Sequence, residues 1–305
     1  MKDYLIKWRY NFMDLIGEKF IINNNPPLIS KFIKNIQYVE EKDNIRLVDV
    51  AIPEGNSIFP IVIYVHGGGW ISGNKSSYTR ICKSFAHEGY LTFNINYRLA
   101  PKYSYPTQIQ DIASAINWVE KNAEIYGGDK TKIFLAGDSS GAHLISHYIT
   151  MLENEEIKKI CNIKNVISMG IIKGILLFYG AYDIGKLDEL NLTIVKIQNE
   201  SFLGKNLELY KKRARLTSTI LYINERFPPS FICTGEVDIL CPQSIQFSKE
   251  LSKYKVHNNL LMLSKQEYPE AKHSFLNFYK RKCSIVAMDE AVKFLNSMSS
   301  NASIS

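Results

Sequence analysis

The sequence predicts an α/β protein built on a mostly parallel central sheet with helices on both faces. Short apolar runs recur along the 305-residue chain, and helical patterns separate most of them. Such runs are typical of strands that are buried on both faces of a parallel sheet. Their alternation with helices indicates a doubly wound sheet, whose functional site forms in the loops beyond the carboxyl ends of the strands.

The predicted strands are short segments dominated by aliphatic and aromatic residues. They lie at residues 45–50, 61–65, 91–96, 133–136, 175–178, 231–233 and 260–263. The predicted helices lie at about 78–88, 107–126, 141–153, 242–255 and 284–298. Residues 184–225 break the alternation, because they contain no clear strand and many polar and long aliphatic residues. We expect a helical insertion there that caps the pocket, with a plain surface excursion as the alternative.

The N-terminal segment carries apolar residues at roughly helical spacing, with charges between them: Leu5, Ile6, Trp8, Phe12, Leu15, Ile16 and Phe20. This spacing predicts an amphipathic helix that packs on the rest of the protein, and an interfacial membrane helix is the alternative. Asn23–Pro27 separates it from a second short stretch that we also expect to be helical. Residues 1–40 are therefore predicted to be an N-terminal helical cap segment, and residues 41–300 the main domain.

Composition excludes several classes of protein. The net charge is +7, but Lys and Arg are spread along the chain, which favours a solvated basic surface over nucleic-acid binding. No apolar run approaches about 18 residues, and the N-terminus lacks the features of a secretory signal, so we expect no stable membrane insertion. The widely spaced cysteines predict neither a zinc site nor a disulfide framework, and they suit a reducing cytoplasm. A homodimer is left open.

Gly137–Gly141 fits the pattern G-x-S-x-G between a predicted strand and a predicted helix. A nucleophile at the centre, Ser139, would occupy a sharp and strained turn, and the flanking glycines let neighbouring backbone pass closely. The helix that begins beside it supplies free N–H groups and a positive dipole end, which favour a developing negative charge. Context makes this pattern informative, because the motif alone occurs often by chance.

A second motif, His66-Gly67-Gly68-Gly69-Trp70, directly follows the predicted strand 61–65. Three successive glycines expose backbone N–H groups without obstruction, as an oxyanion hole requires. A flexible turn is the alternative. Two such motifs, each at the end of a predicted strand, point to catalysis.

A serine nucleophile also needs a histidine and an acid. In a fold of this kind the acid follows the serine along the chain, and the histidine follows the acid. His273 follows the last predicted strand and can reach Ser139, whereas His257 precedes that strand and should lie at its other end. Asp238 follows strand 231–233 and would accept the imidazole N–H, with Glu236 as the runner-up. Asp183, His143 and His147 are expected to have capping, packing or surface roles.

These motifs resemble those of the hormone-sensitive lipase-like branch of the α/β-hydrolase fold, over residues 60 to 280. His66–Trp70 resembles its HGGG[FW] element, Gly137–Gly141 its GDSAG, Tyr97–Pro101 its YRLAP and His273–Phe275 its HGF. The acid region departs most: the family's Asp-Pro-Leu-x-Asp is here Asp238-Ile239-Leu240-Cys241-Pro242.

The resemblance implies a serine carboxylesterase, with a catalytic domain at 41–300 that acts on short- to medium-chain esters. It implies oxyanion donors from the backbone of Gly68, Gly69 and Ser140, and it needs no metal or cofactor. A small-molecule ester is then the partner, with no nucleic acid. Two alternatives stay open: an arylformamidase or amidase with the same residues, and a non-catalytic small-molecule receptor on the same scaffold.

Overall fold

A computed structural model describes residues 24–301 of the chain. Its strands are β1 (Lys31–Gln37), β2 (Leu47–Ile52), β3 (Phe59–Val65), β4 (Leu91–Ile95), β5 (Gly128–Asp138), β6 (Ile172–Phe178), β7 (Ser230–Gly235) and β8 (Asn258–Leu263). They form one sheet in the order β1-β2-β4-β3-β5-β6-β7-β8. β2 runs antiparallel to both of its neighbours, and the other pairs are parallel. The predicted α/β-hydrolase fold is confirmed, and each predicted strand is present.

The α-helices are α1 (Thr79–His87), α2 (Thr107–Asn122), α3 (Ser140–Leu152), α4 (Glu155–Ile160), α5 (Thr193–Leu203), α6 (Leu207–Thr217), α7 (Cys241–Lys253) and α8 (Lys282–Asn301). The five predicted helices correspond to α1, α2, α3, α7 and α8. The predicted insertion contains α5 and α6, flanked by the 3₁₀ turns Ile184–Leu190 and Thr219–Tyr222. Within residues 24–301, none of the helices is long and apolar enough to cross a membrane.

The central strands are buried on both faces, as their apolar runs predict. On β3 one core cluster takes Ile61, Ile63 and Val65, and the other takes Val62 and Tyr64. β8 is different, because it is the last strand of the sheet and one of its faces meets solvent: Leu260 and Met262 are 36% and 47% exposed. The prediction of burial on both faces is therefore wrong for β8.

The structure describes only part of the predicted N-terminal helical segment, from residue 24 onward. The amphipathic pattern of residues 1–23 lies outside them. The helix expected after Asn23–Pro27 is wrong, because residues 31–37 form β1, which pairs antiparallel with β2. An edge ladder satisfies backbone groups that a helix this short would leave unpaired. The pairing shifts register between Ile33 and Ile36, where Asn35 has a positive φ of 58°.

A buried ion pair anchors this edge of the sheet to the segment that follows the glycine motif. Lys75 Nζ lies 2.5 Å from Asp49 Oδ1 on β2, and both side chains are almost inaccessible to solvent. Asn35 joins the pair from β1: its N–H donates to Asp49 and its Oδ1 accepts from Lys75. The charges are thus paired and hydrogen-bonded, as burial requires.

We predict that Lys75→Met lowers the free energy of unfolding by about 3–5 kcal/mol, because it leaves the Asp49 carboxylate buried without its counter-charge. Lys130→Met is the matched control, since the Lys130–Glu124 pair is largely exposed and should contribute less than about 1 kcal/mol. Denaturant unfolding of both variants measures the difference. Equal losses would contradict the role given to the buried pair.

Candidate active site

Ser139 occupies the turn between β5 and α3 in a strained backbone conformation, with φ 50° and ψ −118°. Its N–H donates to the carbonyl of Phe178 at 2.9 Å, which continues the pairing of β5 with β6. The flanking glycines are required by space. A Cβ on Gly137 would lie 2.8 Å from the Val65 carbonyl oxygen, and one on Gly141 would collide with the same oxygen. This strained backbone conformation persists because the neighbouring strands β6 and β3 pack closely against the turn.

The structure brings Ser139, His273 and Asp238 together. Ser139 Oγ lies 2.8 Å from His273 Nε2, and His273 Nδ1 lies 2.9 Å from Asp238 Oδ2. Because a carboxylate only accepts hydrogen bonds, Nδ1 carries the proton, and Nε2 is left to accept from the serine hydroxyl. The Asp238 side chain is fully buried and also accepts from the Leu240 N–H, whereas the His273 side chain is 32% exposed.

The alternatives weighed for the histidine and the acid lie elsewhere. Glu236 Oε2 accepts from the Lys265 N–H at 2.8 Å, on the exposed side of the β7 loop. The ring of His257 stacks on Phe294 of α8, before the start of β8. Asp183 accepts from the hydroxyl of Ser218 at 3.3 Å. None of these groups contacts Ser139.

The glycine motif forms a tight loop beside the Ser139 turn. Gly68, Gly69 and Trp70 all have positive φ values, of 124°, 60° and 63°. A Cβ on Gly68 would collide with the carbonyl of Ser72, so this position has no room for a side chain. Within residues 24–301, nothing accepts a hydrogen bond from the N–H of Gly68 or Gly69. We call Gly67–Trp70 the oxyanion loop, after the role that the sequence predicts for Gly68 and Gly69.

Asp138 connects the oxyanion loop to the Ser139 turn, a role that the sequence did not reveal. Its buried carboxylate accepts from the Gly67 N–H at 2.8 Å and from the hydroxyls of Tyr64 and Tyr78 at 3.2 and 3.1 Å. Burial raises the pKa of Asp138 to about 6, although the three donors act against this shift. In the sequence, only the position of Asp138 next to Ser139 hints at this role. Its partners Tyr64, on β3, and Tyr78, just before α1, are distant along the chain.

His66 holds the oxyanion loop through the Gly67 carbonyl and does not contact Ser139. Its Nδ1 lies 2.8 Å from the Gly67 carbonyl oxygen, to which it donates, and its ring stacks on Tyr97 at 4.4 Å. Burial lowers the pKa of His66 to about 4, so the ring is neutral near pH 7.

The helical insertion lies against the oxyanion loop. A Cβ on Gly69 would collide with the side chain of Gln198 on α5, and the ring of Phe202 stacks on Trp70 at 4.7 Å. The carbonyl of Phe202 also accepts from the Tyr105 N–H. The insertion therefore contacts the site directly.

The fold and the arrangement of the site residues together define an α/β-hydrolase. The chain belongs to the BD-FAE family, whose model matches residues 48–253. It is 26% identical to the esterase LipQ of Mycobacterium tuberculosis over 71% of this chain, and it spans about half (50%) of that protein's length. It is 28% identical to an acetyl esterase of Salmonella schwarzengrund, over 77% of this chain and 71% of that protein.

Solved structures show the same fold. Esterase B from Lactobacillus rhamnosis matches with a TM-score of 0.87 at 21% identity, covering 99% of this chain and 96% of that one. An esterase from Pyrobaculum calidifontis matches with a TM-score of 0.79 at 22% identity, covering 98% and 94%.

We predict that Asp138→Asn becomes more stable relative to the wild type as the pH rises from about 4 to about 6. The folded protein raises the pKa of this carboxyl from 3.8 to about 6, so it binds the proton more readily than the unfolded chain does. The free energy of unfolding of the wild type therefore falls by up to about 3 kcal/mol as the pH rises through this window, because the buried carboxyl becomes charged. Asparagine keeps an oxygen acceptor for Gly67. Denaturant unfolding at pH 4.5 and 7.5 measures the change; a constant difference between the proteins contradicts it.

Proposed function

We propose that this chain is a serine carboxylesterase that hydrolyses short- to medium-chain carboxylic esters through Ser139, His273 and Asp238. The observation that carries the proposal is the continuous series of contacts from Ser139 Oγ to His273 Nε2, at 2.8 Å, and from His273 Nδ1 to Asp238, at 2.9 Å. A hydroxyl, an imidazole and a buried carboxylate in this order are the arrangement that activates a serine.

In the first half of the proposed reaction, Ser139 Oγ attacks the ester carbonyl carbon as His273 Nε2 removes its proton. The imidazolium that forms is stabilised by Asp238, and it then protonates the leaving alcohol as the carbon–oxygen bond breaks. An acyl-enzyme remains. Water repeats the sequence with His273 as its base, which releases the acid and restores the hydroxyl. This cycle requires no metal or cofactor.

We assign the oxyanion hole to the N–H groups of Gly68, Gly69 and Ser140. The first two face no acceptor within residues 24–301, and the third begins α3, where the helix leaves its first N–H groups unpaired. Each such donor contributes about 3–4 kcal/mol of transition-state stabilisation in enzymes of this type.

We further propose that residues 184–225 act as a cap on the catalytic domain, residues 41–300, and limit the acyl group. The support is the contact of Gln198 and Phe202 with the oxyanion loop, which lies beside the Ser139 turn. The name of the Salmonella relative, acetyl esterase, is consistent with a short acyl group.

We propose a small-molecule ester as the partner of the chain, without nucleic acid, and leave a homodimer open. We also propose a cytoplasmic location, because the five cysteines are free and buried, as suits a reducing compartment.

We predict that the 305-residue chain hydrolyses p-nitrophenyl acetate and butyrate faster than the decanoate, and that Ser139→Ala reduces kcat by about 10⁶-fold. Initial rates of p-nitrophenol release measure both, and circular dichroism checks that the variant is folded. Equal, negligible turnover by the two proteins would favour a small-molecule receptor. Turnover confined to formanilides would favour an arylformamidase.

The acid can be tested with two carboxylates on the same loop. We predict that Asp238→Asn lowers kcat by about 10⁴-fold, because the amide no longer holds the imidazole in the required tautomer. Glu236→Gln, the matched control, should stay within about twofold, since Glu236 contacts the Lys265 backbone instead. The reverse pattern in kcat would overturn the assignment of Asp238.

A further inference from the structure

Trp70 holds a conformation that needs outside support. It is a bulky residue with a φ of 63°, directly after two glycines that also have positive φ values. Left-handed backbone is costly for such a residue and persists only where its surroundings fix it. Because Trp70 directly follows Gly69, its placement constrains the backbone of Gly68 and Gly69, whose N–H groups form the proposed oxyanion hole.

Three contacts fix Trp70. Its carbonyl accepts from the Ala100 N–H at 3.0 Å, and its ring stacks on Phe202 of the insertion. The third contact is a buried hydrogen bond in which the indole Nε1–H donates to His143 Nδ1 at 3.0 Å. His143 lies one helical turn after Ser139 on α3, and it is fully buried.

The second nitrogen of His143 reaches the insertion. His143 Nε2 lies 2.9 Å from the carbonyl oxygen of Thr217, at the end of α6. Because Nδ1 accepts from the indole, Nε2 must carry the proton and donate it to that carbonyl. Burial lowers the pKa of His143 to about 4, which keeps this neutral form near pH 7. Close by, Ser146 Oγ bonds to Thr219 Oγ1 at 3.2 Å.

We infer that His143 is a positioning residue that holds the oxyanion loop in its working geometry through Trp70 and couples that loop to the end of the helical insertion. The inference rests on the proposed esterase function. It assigns no contact with substrate to His143. Its two nitrogens serve separate purposes: Nδ1 fixes the loop, and Nε2 fixes the segment where the insertion returns to the sheet.

Two conservative substitutions separate these purposes. His143→Asn places an oxygen near the position of Nδ1 and can still accept from Trp70, but it is too short to reach Thr217. His143→Gln places its amide near the position of Nε2 and can still donate to Thr217, but it leaves the indole without an acceptor. Trp70→Phe removes the indole N–H and keeps an aromatic ring against Phe202.

With p-nitrophenyl acetate as substrate, we expect Trp70→Phe and His143→Gln each to lower kcat about tenfold, the loss typical of a misplaced hydrogen bond donor. KM should change by less than about twofold, because the oxyanion forms only in the transition state. His143→Asn should keep kcat within about threefold of the wild type. The double variant Trp70→Phe/His143→Gln should be no slower than Trp70→Phe alone, since both changes break the same hydrogen bond.

His147→Asn is the matched control. His147 is equally buried one turn further along α3 and bonds to the hydroxyl of Tyr105, without contacting the oxyanion loop. It should lower the melting temperature about as much as His143→Gln does while leaving kcat unchanged.

Unchanged kcat in both Trp70→Phe and His143→Gln would overturn the inference, as would additive losses in the double variant or an equal loss of kcat in His147→Asn. None of these outcomes bears on the esterase proposal, which fails only if the wild type and Ser139→Ala turn over esters equally slowly.

Discussion

The parallel pairing of β3 with β5 determines where the two halves of the site meet. Val65 is opposite Gly137, so the two strands reach the same edge of the sheet together. The oxyanion loop and the Ser139 turn therefore begin side by side. The Asp138 carboxylate spans the remaining gap by accepting the Gly67 N–H. The backbone spacing set by the sheet and the buried Asp138 carboxylate together fix the serine relative to the glycine loop.

Sequence reasoning succeeded where the signal was local or followed from topology. The two motifs are informative because each directly follows an apolar strand, at residues 61–65 and 133–136. The sequence favours His273 over His257 because His273 follows the last strand. Parallel strands end at the same edge, and β8 indeed runs parallel to β7, which carries Asp238 just beyond its end.

The sequence could not supply what depends on distant partners or on small turns. Glu236 and Asp238 lie two residues apart, and only the course of the β7 loop directs one to His273 and the other to Lys265. β1 mixes charged and amide side chains with apolar ones and shows no clear period, and its ladder with β2 decides its conformation. The bond from Trp70 to His143 joins residues 73 positions apart, so no pattern in the chain announces it.

The G-x-S-x-G motif combines two different constraints: a chemical one on the residue at position 139 and a steric one on the residue at position 141. The proposed reaction requires a nucleophilic atom at position 139, which either a hydroxyl or a thiol can supply. Geometry alone requires the glycine at 141, where an added methyl group would enter the Val65 carbonyl. The choice of side chain is therefore freer at position 139, which carries the proposed reaction, than at position 141, which takes no part in it.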